Sequence, residues 1–177
     1  MNLHRLLFPI FLGLLSGCSS SLDAASKIGK ILMDPSIPVG KAEERPSTMN
    51  LTLLSEKNIN PNEEGTGSPL EVEIVYLTED SKLLSLYYEE LERGELKDIL
   101  GKNYIDHQSY TVFPRQYKVI SNITLNEENR YLGVIAYYSD SEQAEWRKVI
   151  PLKGKAHTYN ILIHMKEWDF EIKEYEE

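Results

Sequence analysis

The side chains that could catalyse a reaction or hold a metal ion are scattered along this sequence. The histidines beyond the amino-terminal segment are His107, His157 and His164. None of them has, on a predicted helix, the histidine, cysteine or carboxylate three or four residues away that is typical of a metal site. His157 and His164 flank a predicted strand, where exposed or capping roles are expected. The sequence therefore predicts no metal ligands.

Acids and glycines give equally little support for catalysis. Asp106 and His107 could supply two members of a catalytic triad, but no Gly-x-Ser-x-Gly motif is present. Pairs of adjacent acids are typical of solvated loops and exposed helix faces, and they occur at Glu63-Glu64, Glu89-Glu90 and Glu127-Glu128. The Gly65-Thr66-Gly67 stretch lacks the lysine and the helix that a phosphate loop requires. We predict no catalytic residues and no enzyme.

The one cysteine in the sequence, Cys18, indicates the compartment. A lone cysteine excludes an intramolecular disulfide and a thiolate metal cluster, since both need a second thiol. Cys18 follows Arg5 and an apolar run over residues 6–15. A run of about ten residues is too short to span a bilayer, which needs roughly 20. Residues 1–17 are therefore predicted to be a signal peptide.

The residues Leu15-Ser16-Gly17-Cys18 resemble the lipobox of bacterial lipoproteins. The resemblance implies cleavage before Cys18 and covalent lipid on that residue, with no other cofactor. Three acyl chains, at about 0.8 kcal/mol per buried methylene, would anchor the chain permanently. Because Ser19 is not the aspartate of lipoproteins retained at the inner membrane, the resemblance implies the outer membrane, with the body facing the periplasm. The alternative is an ordinary secretory signal with a chance cysteine.

Charge excludes one class of partner. The chain has 19 Lys and Arg against 28 Asp and Glu, and its basic residues form no stripe that could neutralise a phosphate backbone. Nucleic acid is therefore not an expected partner. Loss of Arg5 with the signal peptide makes the mature chain more acidic still, which argues against its lying on an anionic membrane.

The hydrophobic pattern of the mature chain is mainly that of strands. Period-two alternation predicts about seven of them, near residues 49–53, 70–77, 117–125, 131–138, 146–152, 159–165 and 168–172. A helical insertion is predicted at about residues 80–101, with Leu83, Leu84, Tyr87, Tyr88 and Leu91 on one face. This order is typical of a mainly β protein, an antiparallel β-sandwich, because it lacks regular βαβ alternation.

The predicted domain organisation has three parts. Residues 1–17 are the signal peptide, residues 18–48 the lipidated cysteine and a tether, and residues 49–177 the sandwich with its insertion. Helical spacing of apolar residues over 22–33 is compatible with a short helix in the tether. If flexible, residues 19–48 have a root-mean-square span of roughly 30 Å, which would let the domain stand off the membrane.

Four short motifs occur in a particular order within the sandwich. They are Asn58-Ile59-Asn60-Pro61, the strand over residues 69–77, the strand from Arg130 to Ala136 followed by Asp140, and Ala144-Glu145-Trp146-Arg147. Together they resemble the outer-membrane lipoprotein of the type VI secretion system, the TssJ family, over about residues 49–152. The helical insertion departs from the family, since Leu83-Leu84 and Tyr87-Tyr88 stand where a stretch rich in phenylalanine and aspartate is common.

The resemblance implies a transthyretin-like sandwich without an active site. It also implies that the protein binds the periplasmic domain of a large inner-membrane secretion subunit and so fixes a trans-envelope complex to the outer membrane. The alternatives are a periplasm-facing lipoprotein that binds a small ligand or assists envelope assembly, and a lipid-anchored hydrolase. Trp146 is predicted to fill the core and Arg130 to form a salt bridge at a strand end.

The partner-binding residues are predicted in the loop over residues 58–68. Its eleven residues exceed the two to five that are usual in a hairpin, and we expect it to contain no core residue. The predicted contact residues are Asn58, Ile59, Asn60, Pro61, Asn62, Glu63, Glu64, Gly65, Thr66 and Gly67. The alternative is a disordered acidic connector.

Overall fold

The computed structural model describes residues 45–175, which form two four-stranded sheets. Sheet 1 has the order β4-β1-β7-β8, with β1 Thr48–Ser55, β4 Tyr117–Thr124, β7 Thr158–Met165 and β8 Phe170–Tyr175. Sheet 2 has the order β3-β2-β5-β6, with β2 Leu70–Leu77, β3 Tyr104–Val112, β5 Tyr131–Ala136 and β6 Arg147–Pro151. The predicted signal peptide, Cys18 and the tether over 18–44, including the 22–33 segment, lie outside the described residues.

Alternation of side chains along β1 builds the core between the sheets. Met49, Leu51 and Leu53 are fully buried, while Asn50 and Thr52 are half-buried on the opposite face. β7 repeats this pattern, with every second residue buried. Successive strand side chains point to opposite faces, so each strand gives one face to the core. The predicted mainly β sandwich is confirmed.

Most strand pairs are antiparallel, but β1 and β7 are parallel. Their register runs from Thr48 beside Thr158 to Ser55 beside Met165 without a shift. β1 also pairs antiparallel with β4 on its other side. The first strand of the chain is therefore central in its sheet and depends on partners far away in the sequence.

Residues 45–175 form eight strands, one more than predicted. The additional strand is β3, which pairs with β2 from Val112 beside Leu70 to Tyr104 beside Leu77. It is an edge strand, and only Val112 is buried among its residues. Polar residues from Asp106 to Ser109 interrupt its apolar pattern. An edge strand needs little apolar surface, so alternation alone did not reveal it.

The chain between β2 and β3 covers part of the outer face of sheet 2. It contains two short α-helices, α1 Ser81–Ser85 and α2 Leu96–Leu100, and 3-10 helices at Tyr88–Arg93 and Gly101–Asn103. The predicted single helical face is wrong, because α1 ends at Ser85 and is followed by Leu86, whose backbone is extended. Leu83 and Leu91 are buried, whereas Leu84 and Tyr87 are exposed.

Leu83 fits closely over a glycine in β5. A Cβ atom added to Gly133 would lie 2.5 Å from Leu83 Cδ2, closer than two carbon atoms can pack. The glycine therefore makes room for α1 on the sheet. Because of this cover, the second half of β2 is buried on both faces.

A bulge in β4 changes the side-chain alternation along this strand. The register with β1 shifts between Met49 and Leu51, and Asn122 has a φ of 60°. Ile120 and Ile123 consequently pack against the core, whereas Tyr117 and Val119 are exposed. One extra residue in a strand shifts the side-chain alternation by one position.

Within residues 45–175, no helix is long and apolar enough to cross a membrane.

Candidate partner-binding surface

Four loops lie together at one end of the sandwich. They are residues 56–69 between β1 and β2, 113–116 between β3 and β4, 137–146 between β5 and β6, and 166–169 between β7 and β8. Strand register places them together, because Leu54 pairs with Tyr117, Leu70 with Val112, Ile135 with Arg147 and Met165 with Phe170. We call this end, with these four loops, the loop end.

The β1–β2 loop crosses from one sheet to the other, which explains its length. Its base is buried: Ile59 has no exposed surface, Asn60 is 6% exposed and Pro61 is also buried. The expectation that the loop contains no core residue is therefore wrong. Ile59 fills the space between the ends of the two sheets, and residues 59–61 support the loop from below.

Asn60 connects this loop to its neighbours. Its Nδ2 donates to the Pro69 carbonyl oxygen at 2.9 Å, and its Oδ1 accepts from the Ser139 backbone N–H at 2.7 Å. Its own backbone N–H donates to the carbonyl oxygen of Glu167 at 3.1 Å. The backbone at Asn60 is left-handed, with a φ of 44°, a conformation that asparagine tolerates better than most residues. The loop is thus held to both the β5–β6 and the β7–β8 loops.

The exposed part of the loop is a small hairpin closed by side-chain hydrogen bonds. Pro61 and Gly67 form an isolated antiparallel bridge. Asn62 Oδ1 accepts from the backbone N–H groups of Glu64 at 3.1 Å and Thr66 at 2.9 Å. A Cβ at Gly67 would lie 2.4 Å from the Lys57 carbonyl oxygen, so this residue must be glycine for the hairpin to close.

The tip of this hairpin, residues 62–66, is exposed and acidic. The four loops of the loop end carry eight carboxylates but only three basic side chains. Lys166 is engaged by Glu171, and together with Lys173 it lowers the pKa of that carboxyl to about 2 through hydrogen bonds. Glu63 and Glu64 have no ion-pair partner among residues 45–175. The loop end therefore presents a negative surface.

Aromatic side chains pack beneath these loops. Trp146 is buried and lies edge-on to Tyr88 with ring centroids 5.2 Å apart, which confirms its predicted core role. Tyr138 donates from its hydroxyl to the Asp169 carbonyl oxygen at 2.6 Å. Burial, and to a lesser degree Asp169 and Glu56, raise the pKa of Tyr138. The neutral phenol thus joins the β5–β6 and β7–β8 loops.

The other residues singled out in the sequence make local contacts. His107 Nδ1 lies 2.7 Å from the Tyr104 hydroxyl, and His164 Nε2 lies 3.6 Å from Glu56. His157 is exposed. The salt bridge predicted for Arg130 is wrong: within the described part of the chain it makes only backbone hydrogen bonds at the start of β5.

No group of three histidine, cysteine, aspartate or glutamate side chains converges anywhere in residues 45–175. What the fold offers instead is a rigid two-sheet scaffold with structured loops at one end. Such a scaffold is typical of domains that bind through loops.

The family of the chain follows from comparison with known proteins. Residues 47–167 match the family described as type VI secretion lipoprotein, VasD, EvfM, TssJ, and the chain belongs to this family. No curated protein sequence matches it.

Solved structures have the same fold. The T6SS lipoprotein TssJ1 from Pseudomonas aeruginosa is 25% identical, with a TM-score of 0.69 over 75% of this chain and 98% of that one. Serratia marcescens Lip, a membrane-bound component of the type VI secretion system, is 18% identical, with a TM-score of 0.63 over 75% and 99%. A chain from a structure described as the T6SS protein TssM C-terminal domain from EAEC is 19% identical, with a TM-score of 0.59 over 71% and 97%.

Proposed function

We propose that this protein is an outer-membrane-anchored structural lipoprotein of a type VI secretion system. Its sandwich binds the periplasmic domain of an inner-membrane subunit, and its lipid fixes the resulting trans-envelope complex to the outer membrane. Family membership supports the secretion role, and the fold shared with a chain from a TssM structure is consistent with an inner-membrane partner. It is a structural component rather than an enzyme.

The preformed β1–β2 hairpin is the observation that carries the proposed binding site. Its tip is exposed, while its base is fixed by Asn60 and by the buried Ile59. A loop that is already ordered loses little conformational entropy on docking. We therefore assign partner contact to residues 62–66, with Asn58, Ile59, Asn60, Pro61 and Gly67 as their support.

The negative charge of the loop end indicates which kind of partner surface would bind to it. Glu63 and Glu64 project at the tip, and Asp140 and Glu142 in the adjacent β5–β6 loop add two further acids. Complementary charge accelerates association and fixes orientation. The partner should therefore present a basic patch, and binding should weaken as salt is added.

The anchor is proposed on Cys18. Lipidation there, after cleavage of residues 1–17, would leave the body in the periplasm on the tether over residues 18–48. Two acyl chains already suffice for stable membrane attachment, whereas one gives only marginal binding.

The binding site can be tested with two double substitutions, one at the loop end and a control at the opposite end, where Glu127 pairs with Lys155 at 2.7 Å. Glu63→Gln with Glu64→Gln removes two adjacent exposed acids at the loop end, and Glu127→Gln with Glu128→Gln removes two at the opposite end. Calorimetry against the periplasmic domain of the inner-membrane subunit should show about tenfold weaker binding for the first pair, with a shallower salt dependence. The second pair should bind as the unaltered protein does. Equal affinity of both variants would refute the assignment of the loop.

A further inference from the structure

The outer face of sheet 1 is a second surface that the proposed secretion role leaves unused. Helices α1 and α2 pack against strands of sheet 2, namely β6 and β3. On sheet 1, three large side chains are about half exposed or more: Tyr117 at 68%, Tyr175 at 51% and Val119 at 49%. Two of them are tyrosines on the two edge strands, β4 and β8.

A shallow groove of about 280 Å³ runs across this face between the two tyrosines. Every residue that lines it is uncharged: Asn50, Thr52, Leu54, Tyr117, Asn160, Ile161, Leu162 and Tyr175. The groove floor therefore alternates amide and hydroxyl groups with leucine side chains. The nearest charged side chains on this face, Lys173 opposite Leu162 and Glu171, pair with each other at 2.8 Å, so the groove favours a neutral ligand.

Hydrogen bonds in the sheet fix the amides of the floor. Asn50 Nδ2 donates to Asn160 Oδ1 at 2.9 Å, and Asn50 Oδ1 accepts from the Asn122 N–H at 3.1 Å. This arrangement leaves the Nδ2 of Asn160 and the hydroxyls of Thr52 and Tyr117 without a partner among residues 45–175. These groups are donors on residues that line the groove, as in sites where a few polar groups set ligand orientation.

The size of the face argues against a second copy of the chain as the occupant. Eight-residue strands at about 3.3 Å per residue and four strands at about 4.8 Å spacing give a face of roughly 400 Å². A stable protein interface buries about 800 Å² on each partner. The face is therefore too small for a stable dimer but large enough for a small ligand.

The placement of the tyrosines favours a linear ligand. Tyr117 pairs with Leu54, whereas Tyr175 pairs with Asn160 beside Asn50, four residues earlier in β1. The two tyrosines are separated by four residues along β1 and by three strand spacings across the sheet. Their rings therefore lie roughly 19 Å apart on a diagonal. An oligosaccharide of a few pyranose units spans such a distance.

We propose that this groove binds a neutral, linear oligosaccharide. The exposed faces of Tyr117 and Tyr175 stack on the apolar faces of sugar rings near the two ends of the ligand. Asn160 and Thr52 hydrogen-bond to sugar hydroxyl or acetamido groups between them, and the leucines contact ring C–H groups. An aromatic ring with a polar edge suits a ligand that alternates apolar faces with hydroxyls.

Calorimetry with chitotetraose and maltotetraose as probes tests the proposal. The lipidated mature chain is used in a detergent without a sugar headgroup, so that the detergent does not compete. Saturable binding of one probe is expected, and Tyr117→Ala and Tyr175→Ala should each weaken it about five- to tenfold. Tyr87→Ala, which removes a tyrosine 75% exposed on the helical insertion, should leave it unchanged.

Three results would overturn the proposal. The first is no saturable binding of either sugar, and the second is equal weakening by Tyr87→Ala. The third is a concentration-dependent dimer in sedimentation that Tyr117→Ala abolishes, since a second copy would then occupy the face. Circular dichroism confirms that the variants fold, which is expected because both tyrosines are exposed on edge strands.

Discussion

Asn60 should be among the most sensitive positions of the loop end, although no partner can touch its buried side chain. Asn60→Ala removes the hydrogen bonds to Pro69 and Ser139, each with a net value of about 1 kcal/mol. Alanine also tolerates the left-handed φ of 44° less well, at a further cost of about 1 kcal/mol. The free energy of unfolding should fall by about 3 kcal/mol.

Urea unfolding of the mature chain, followed by tryptophan fluorescence, measures this loss. For a domain of this size, a loss of about 3 kcal/mol corresponds to a Tm lower by roughly 10 °C. Asn60→Gly separates the two causes, because glycine accepts a positive φ. It should cost about 1 kcal/mol less than alanine. Asn62→Ala, at an exposed position, should cost less than about 1 kcal/mol.

Two outcomes would contradict this account of the loop. If Asn60→Ala changed the free energy of unfolding by less than 1 kcal/mol or so, the two hydrogen bonds would not hold the loops together. If Asn60→Gly proved more damaging than Asn60→Ala, the left-handed backbone would not contribute to the cost.

Further predictions concern packing, pH and anchoring. Leu83→Ala should lower the free energy of unfolding by about 3 kcal/mol, and Gly133→Ala by about 2 kcal/mol. The double variant should lose about 1 kcal/mol less than their sum, because the new methyl occupies space that Leu83 vacates. Additive losses in denaturation experiments would argue against this packing. Burial, and then Glu73, raise the pKa of Tyr137 to about 12. The native state therefore holds more protons than the unfolded state, whose tyrosine ionises near pH 10, and stability should fall between these pH values. Tyr137→Phe should flatten that fall in alkaline denaturation curves, and unchanged curves would show that another group is responsible. Cys18→Ser should yield soluble periplasmic protein, and its recovery in salt-washed outer membranes from cells without the partner would rule out a lipid anchor.

Strands in which buried and more exposed side chains alternate were predictable from the sequence. β1 and β7 place every second residue in the core, so period two is visible in each of them. β3 was not predictable in this way, since β2 holds it as an edge strand with little burial. The bulge at Asn122 was also missed, because an inserted residue is recognised only from the partner strand.

The candidate site is a prediction from loop length and family resemblance, and the way the loop is held in place could not be read from the sequence. Asn60 is held by hydrogen bonds to Glu167 and Ser139, residues roughly 80 to 110 positions away. Such long-range contacts leave no local pattern. The outer face of sheet 1 was not predicted for a similar reason, since alternation over residues 117–125 does not reveal the bulge at Asn122 or the exposure of Tyr117.

The parallel pairing of β1 with β7 sets an order on folding. Closing a loop of about 110 residues costs roughly 4 kcal/mol in chain entropy, so this pair forms late. Hairpins within sheet 2, such as β5 with β6, have much shorter connections and can form first. Leu51 and Leu53 can pair with β4 earlier, but they lack their second partner strand until the carboxy-terminal hairpin has formed. In pulse-labelled hydrogen exchange, the β1 amides that bond to β7 should gain protection last, and a chain exported amino terminus first would keep this edge of β1 open until β7 has crossed the membrane.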